Sequence, residues 1–260
     1  MGWAIETFNL TKLFMPSEGL YLRPFCKRDA VLAINNINLS IKKGELFCLI
    51  GPNGSGKTTL IKILCSLILP TKGTAFINGV DILGNNEKLK SSIGLMTSDD
   101  RSFYWRLTGR QNLTFFAFLY NLNPQQATKK IKEIMELLEI EAPDKRFQEY
   151  STGMKQRLGI ARSLLNDPQV LFMDEPTKSL DPKASYNLKV FIKERLVREQ
   201  GKTVLFTTHH LDETEEFADR LAIIDRGRLV ACGNLGELQH LIGEPAANLE
   251  KIFVQLTKTQ

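Results

Sequence analysis

Residues 51–58 read GPNGSGKT and fit G-x-x-x-x-G-K-[ST] in full. Gly51, Gly54 and Gly56 let the backbone curl, so that its N–H groups can face a phosphate. Pro52, Asn53, Ser55 and Thr59 complete the cradle. Lys57 adds a point charge near the β- and γ-phosphate oxygens, and the Thr58 hydroxyl can ligate Mg²⁺. The chemistry this stretch could do is the binding of a nucleotide polyphosphate.

VLFMDE (170–175) supplies two acids, Asp174 and Glu175, after four apolar residues. Asp174 would hold Mg²⁺ through water, and Glu175 would polarise an attacking water. Phosphoryl transfer leaves a protein little covalent work, so positioned charge is most of the catalysis. TTHH (207–210) brings His209, in preference to His210, within reach of a γ-phosphate. A second small-residue loop, YSTGM (150–154), runs into a helical pattern and could also attract an anion.

These groups need a scaffold with one reactive edge. ELFCLI and QVLFM are continuous apolar runs that predict buried strands, and TVLFT predicts another. Acids and histidine then emerge at strand C-terminal ends, where α/β ligands bind. A helix is predicted near 57–69. Residues 4–10 and 36–47 alternate apolar and polar, as strands of an antiparallel sheet, with KKGE as a turn. Asn78-Gly79 and RLAIIDRGRLVACG mark hairpins. From about 104 to 166 the pattern is mostly helical. Asn123-Pro124 starts one helix there, with Ile131, Ile134, Met135 and Leu138 on one face. Asp181-Pro182 caps a helix that stops at Gly201, and the tail aligns Leu249, Ile252, Phe253 and Leu256.

The expected fold is α/β, a P-loop ATPase core with an antiparallel β flank and an inserted helical subdomain. The core and flank would occupy about 1–100 and 167–235, the helical insert about 101–166 and a helical tail about 236–260. Composition agrees with a globular chain: 260 residues, 43% apolar and 24% charged. A net charge of +5 is too small to argue for nucleic acid. Cys26, Cys48, Cys65 and Cys232 are scattered with no CxxC pair, as expected of reduced thiols rather than a metal or disulfide framework. The start MGWAIETFNL reads as no signal peptide. No apolar stretch approaches the roughly 20 residues a spanning helix needs.

Taken together, these motifs resemble the nucleotide-binding subunit of ABC transporters, from about residue 4 to the C-terminus. YSTGM stands where that family has its signature loop, usually written LSGGQ. The resemblance implies a head-to-tail dimer in which Ser151, Thr152, Gly153 and Met154 close over ATP held by a second copy of the chain. It implies that Ser179-Leu180-Asp181 is the D-loop running across that dimer, with Asp181 near the nucleotide. It also implies an aromatic stacked on adenine: Phe14 in LTKLF, with Tyr21 and Phe25 as rivals. After SSIGLM the family has a glutamine that relays nucleotide state; here Ser98 or Asp99 occupies the position. Asp99 could still ligate the metal, but it would change the charge of the site.

The resemblance further implies ATP and Mg²⁺ as ligands and a separate membrane-spanning subunit as partner. The chain itself would be peripheral, on the cytoplasmic face, touching the membrane only through that partner. YSTGMKQR, THHLDETEE and NLEKIFVQLT look most like subunits of export-type systems. The alternatives are an importer subunit or a soluble ABC ATPase acting on DNA or ribosomes.

Overall fold

In this computed structural model the described residues are 2–15, 30–84, 86–97, 102–211 and 214–258. Two sheets organise them. The first is antiparallel, in the order β2 (Val31–Lys42), β1 (Trp3–Phe14), β4 (Lys72–Ile77), β5 (Val80–Asp81). The second has six strands, in the order β10 (Arg228–Gly233), β9 (Arg220–Asp225), β3 (Leu46–Ile50), β8 (Thr203–Thr208), β7 (Val170–Asp174), β6 (Ile93–Thr97). All its pairings are parallel except β9 with β10.

The apolar runs explain that parallel core. Every residue of β3 and β7 is buried. Because side chains alternate between faces, each strand feeds two separate cores. Phe47, Leu49, Val170 and Phe172 pack with the antiparallel sheet and with α1 (Lys57–Leu64). Leu46, Cys48, Ile50, Leu171 and Met173 pack on the opposite face with the helices. A strand covered on both faces has no room for a polar residue until its end. That is why Asp174 appears only at the last position of β7.

Among the described residues, three α-helices lie between β6 and β7, namely α3 (Gly109–Leu119), α4 (Pro124–Leu137) and α5 (Thr152–Ser163), with α2 (Asn86–Ser92) ahead of β6. Asn123 caps α4 through Gln126 N–H at 2.9 Å, and Ile131, Ile134, Met135 and Leu138 are buried as the periodicity predicts. After β7, α6 (Pro182–Phe191) continues as a π-helical segment, Ile192–Glu199. The chain ends in α7 (Leu235–Ile242) and α8 (Leu249–Lys258). Leu249 and Ile252 are fully buried, with Phe253 and Leu256 packed beside them. No helix among the described residues is long and apolar enough to cross a membrane.

Some boundaries differ from expectation. The first helix stops at Leu64 rather than near 69, because Ser66 turns left-handed (φ 52°) and Leu67 N–H bonds back to Lys62 O at 2.9 Å. The second strand of the flank begins at Val31, five residues early, where β1 extends to pair with it. β6 has no counterpart among the expected strands. Tyr21, Phe25, Ser98 and Asp99 lie outside the described residues.

Candidate functional site

The loop after β3 is shaped by its glycines. Gly56 caps α1 at φ 109°, and a Cβ there would sit 2.5 Å from the Ala33 carbonyl oxygen, so only glycine fits. Gly54 also has positive φ, at 81°. Lys57 is buried and donates to Gly51 O at 2.7 Å and Pro52 O at 3.0 Å. Burial pulls its pKa down, while Glu175 and then Asp174 push it back up. Ser55 Oγ is buried with no hydrogen-bond partner. An orphaned hydroxyl inside a curled loop is what a cradle for an anionic oxygen leaves behind.

The end of β7 meets this loop directly. Thr58 Oγ1 donates to Asp174 Oδ2 at 2.7 Å, and Thr207 Oγ1 donates to Asp174 Oδ1 at 2.6 Å. The same Thr207 oxygen accepts the Glu175 N–H at 3.0 Å. Glu175 holds a left-handed backbone, φ 52°, which is costly for a non-glycine and clusters at functional sites. Its carboxylate is bracketed: His209 Nδ1 lies 3.0 Å from Oε1, and Lys178 Nζ lies 3.6 Å from Oε2. Thr207 and Lys178 were not singled out from sequence. The repeated threonine of TTHH, one residue beyond an apolar strand core, was the available signal for Thr207.

A cleft of about 260 Å³ opens over these residues. Asn53, Gly54, Gly56, Lys57, Thr58 and Thr59 form one side, with Glu175 at its end. Val31, Leu32, Ala33 and Arg226 complete the lining. Phe14 is not among the lining residues; it pairs with Val31 across the sheet, is 41% exposed and carries Lys12 Nζ 5.1 Å from its ring centroid. A second cavity, about 310 Å³, lies between the end of α4 and α6 and contains none of the predicted site residues.

The second loop stands apart. Ser151 caps α5, its Oγ accepting the Met154 N–H at 3.3 Å; Ser151 and Thr152 are exposed. Gly153 faces Leu180, and Met154 packs partly into the core. None of residues 151–154 lines the cleft. Asp181 caps α6 through the Ala184 N–H at 2.9 Å and is exposed. Gln156 of α5 reaches Lys178 O at 3.4 Å, so the signature-position helix rests on the segment that follows Glu175.

The Thr58 hydroxyl and the Asp174 carboxylate are hard oxygen donors already brought together, the kind that suits Mg²⁺, which binds through few protein ligands plus phosphate. The arrangement can therefore hold a phosphate chain, keep a cation on it and set a carboxylate beside its end.

Comparison with known proteins agrees in scope. The family described as "ABC transporter" matches residues 34–178. "Probable multidrug ABC transporter ATP-binding protein YbhF" of Escherichia coli (strain K12) is 36% identical over 228 residues, covering 86% of this chain and 39% of that protein. "Nod factor export ATP-binding protein I" of Neorhizobium galegae is 36% identical over 214 residues, covering 82% of this chain and 61% of that one. The chain thus spans about two fifths and three fifths of their lengths. Among solved structures, the ATP-binding cassette MJ0796, in a dimeric post-hydrolysis state bound to ADP and Pi, superposes with TM-score 0.75 at 27% identity, covering 89% of this chain and 98% of that one.

Proposed function

The chain belongs to the ABC transporter family, as one of its ATP-binding subunits, and we propose that it hydrolyses ATP to drive a separate membrane-spanning partner. The observation that carries this is the meeting of Lys57, Thr58, Asp174, Glu175 and His209 at one sheet edge, from three distant stretches of sequence.

In this reading Lys57 and the loop N–H groups hold the β- and γ-phosphates, and Ser55 Oγ finds its partner there. Thr58 and Asp174 would hold Mg²⁺, which when bound neutralises charge on the phosphate oxygens. Glu175 accepts the proton of the attacking water. His209, bonded to the same carboxylate, fixes the position of that base and faces the γ-phosphate. Phosphoryl transfer needs little more than such placement.

Ser151–Met154 would serve ATP bound to a second copy of the chain, and Asp181 would run across the same interface. Their absence from the chain's own cleft lining supports this, as does the dimeric state of the MJ0796 cassette. Hydrolysis would then remove part of the glue between copies. The direction we favour is export, since the relatives carry multidrug and Nod factor export names. The proposed location is the cytoplasmic face of the membrane, reached through the partner. Half-exposed Tyr104, edge-on to Phe115 of α3 at 4.8 Å, and exposed Trp105 would offer that partner an apolar contact.

Glu175→Gln tests the reading. It should bind ATP, hydrolyse it about 10²- to 10⁴-fold more slowly, and accumulate as an ATP-dependent dimer on gel filtration. Lys57→Ala should lose nucleotide binding in a titration. A Glu175→Gln protein that stays monomeric with ATP and hydrolyses normally defeats the assignment.

A further inference from the structure

The nucleotide cleft is chemically lopsided. Its phosphate side carries Lys57, Thr58 and the curled loop. Its other side is aliphatic, formed by Val31, Leu32 and Ala33 at the start of β2, and no aromatic ring lines it among the described residues. Among the described residues on that side, a flat heterocyclic base would meet aliphatic side chains and the planar guanidinium of Arg226.

Arg226 is held at that rim by its neighbour. In the turn between β9 and β10, Gly227 N–H donates to Ser55 O at 2.9 Å, and Gly227 O accepts the Asn35 N–H at 2.8 Å. One residue thus ties the turn to both the phosphate loop and β2. Gly227 has φ 79°, and a Cβ on it would lie 2.7 Å from Ala33 O, so only glycine lets the turn press so close. Arg226 itself takes φ 44°, an uncommon backbone for a long side chain. Its side chain is 81% exposed, and its ion pair with Asp225 spans 4.0 Å. A pair that long and that wet holds the group weakly and leaves its flat face open.

We propose that Arg226 is a binding residue for the nucleoside end of the nucleotide, stacking its guanidinium plane on the base. A guanidinium stacks on π faces, whereas a lysine ammonium is a point charge without a plane. Bases of any sequence offer such a face. The phosphate end already has its cation in Lys57, so the added value of Arg226 lies with the base. This inference rests on the nucleotide-binding reading above.

The experiment compares wild type, Arg226→Asn and Arg226→Lys, titrated by calorimetry with ATP and with inorganic triphosphate, both with Mg²⁺. Asparagine tolerates positive φ, so the turn should survive, and melting temperatures check that it does. Both variants should bind ATP about 3- to 10-fold more weakly, the loss expected of one cation–π contact, and bind triphosphate as wild type does. Unchanged ATP affinity in Arg226→Asn overturns the inference. So does an equal loss for triphosphate, which would make Arg226 a phosphate contact. Wild-type affinity in Arg226→Lys overturns it too, because charge without a plane would then suffice. A wild type that binds neither ligand defeats the nucleotide reading, and this inference with it.

Discussion

Thr207 and Asp174 stand opposite each other in the parallel pairing of β8 with β7, and the Thr207 hydroxyl donates to Asp174 Oδ1 at 2.6 Å. The other oxygen of Asp174 is held by Thr58 at 2.7 Å. The carboxylate is therefore aimed from both sides before any ligand arrives. Thr207 also receives the Glu175 N–H, so one fully buried hydroxyl fixes both acids.

Thr207→Val keeps the volume of the side chain and removes that hydroxyl. Asp174 loses a donor, and the Glu175 N–H is left unpaired, a cost of about 1–3 kcal/mol in stability. Groups that orient metal-binding carboxylates typically contribute 10- to 100-fold to metal affinity or activity. The expected result is a drop of that size in ATPase rate, with the Mg²⁺ concentration for half-maximal rate shifted upward. Thr207→Ser should recover most of it. Equal activity and Mg²⁺ dependence in Thr207→Val and wild type would show that Asp174 needs no such support.

Cys48 and Cys65 give a pH signature. Burial pushes both thiols far above their ordinary value of 9.0. Both stay protonated in the folded chain at pH values where the unfolded chain ionises them. Above about pH 9 the native state binds more protons than the unfolded one, so stability falls as pH rises, by about 1.4 kcal/mol per pH unit for each thiol. Below that pH the thiols add no slope. Urea unfolding at pH 8, 9 and 10 measures it, against a Cys48→Ala/Cys65→Ala double variant. The variant should be less stable throughout but flatter above pH 9. Equal slopes would mean the thiols ionise while folded.

The aromatic run 103–105 divides into two jobs. Phe103 is core: it stacks on Phe147 at 4.7 Å and carries the Arg162 guanidinium 4.7 Å from its ring centroid. Tyr104 and Trp105 are 49% and 59% exposed. Tyr104→Ser should therefore leave the melting temperature nearly unchanged, yet reduce co-purification with the proposed membrane-spanning partner. Phe103→Ser should instead cost about 3 kcal/mol or more of stability. A Tyr104→Ser protein that unfolds would assign that ring to the core as well.

What the sequence made legible was local. GPNGSGKT, the Asn123-Pro124 cap, the Asn78-Gly79 turn and the wholly apolar strands each carry their cause within a few residues. Asn78 and Gly79 do take φ 48° and 78°. The missed features depend on contacts between distant stretches. Thr207 matters because β8 pairs with β7 in one register, and Arg226 reaches the cleft because Gly227 is bonded to Ser55 and Asn35. Phe14 is absent from the described cleft lining for a similar reason. Phe14 pairs with Val31, and it is Val31 that lines the cleft. β6 was missed because a five-residue strand interrupted by Gly94 gives too short a period to read.

Ser151 offers the sharpest test of a shared site. Its Oγ already accepts the Met154 N–H, but a hydroxyl can accept and donate at once, so its proton is free for a phosphate from outside. Ser151→Arg places a large side chain where close approach is needed; its charge would favour a phosphate, so failure would be steric. Losing the cap costs about 1 kcal/mol, which the packed core of α5 should bear. The variant should lose hydrolysis while the isolated subunit binds ATP nearly as wild type does. It should then be mixed with Lys57→Ala. Each homodimer has two broken sites. A mixed dimer pairs the intact cradle of the Ser151 variant with the intact second loop of the Lys57 variant, and so rebuilds one whole site. Partial recovery of activity on mixing means the site is built from two chains. If the mixture stays dead while mixed dimers form, either both sites must fire together or the loop serves its own chain. ATP binding to Ser151→Arg alone separates those two, because a loop that served its own cleft would lose affinity there.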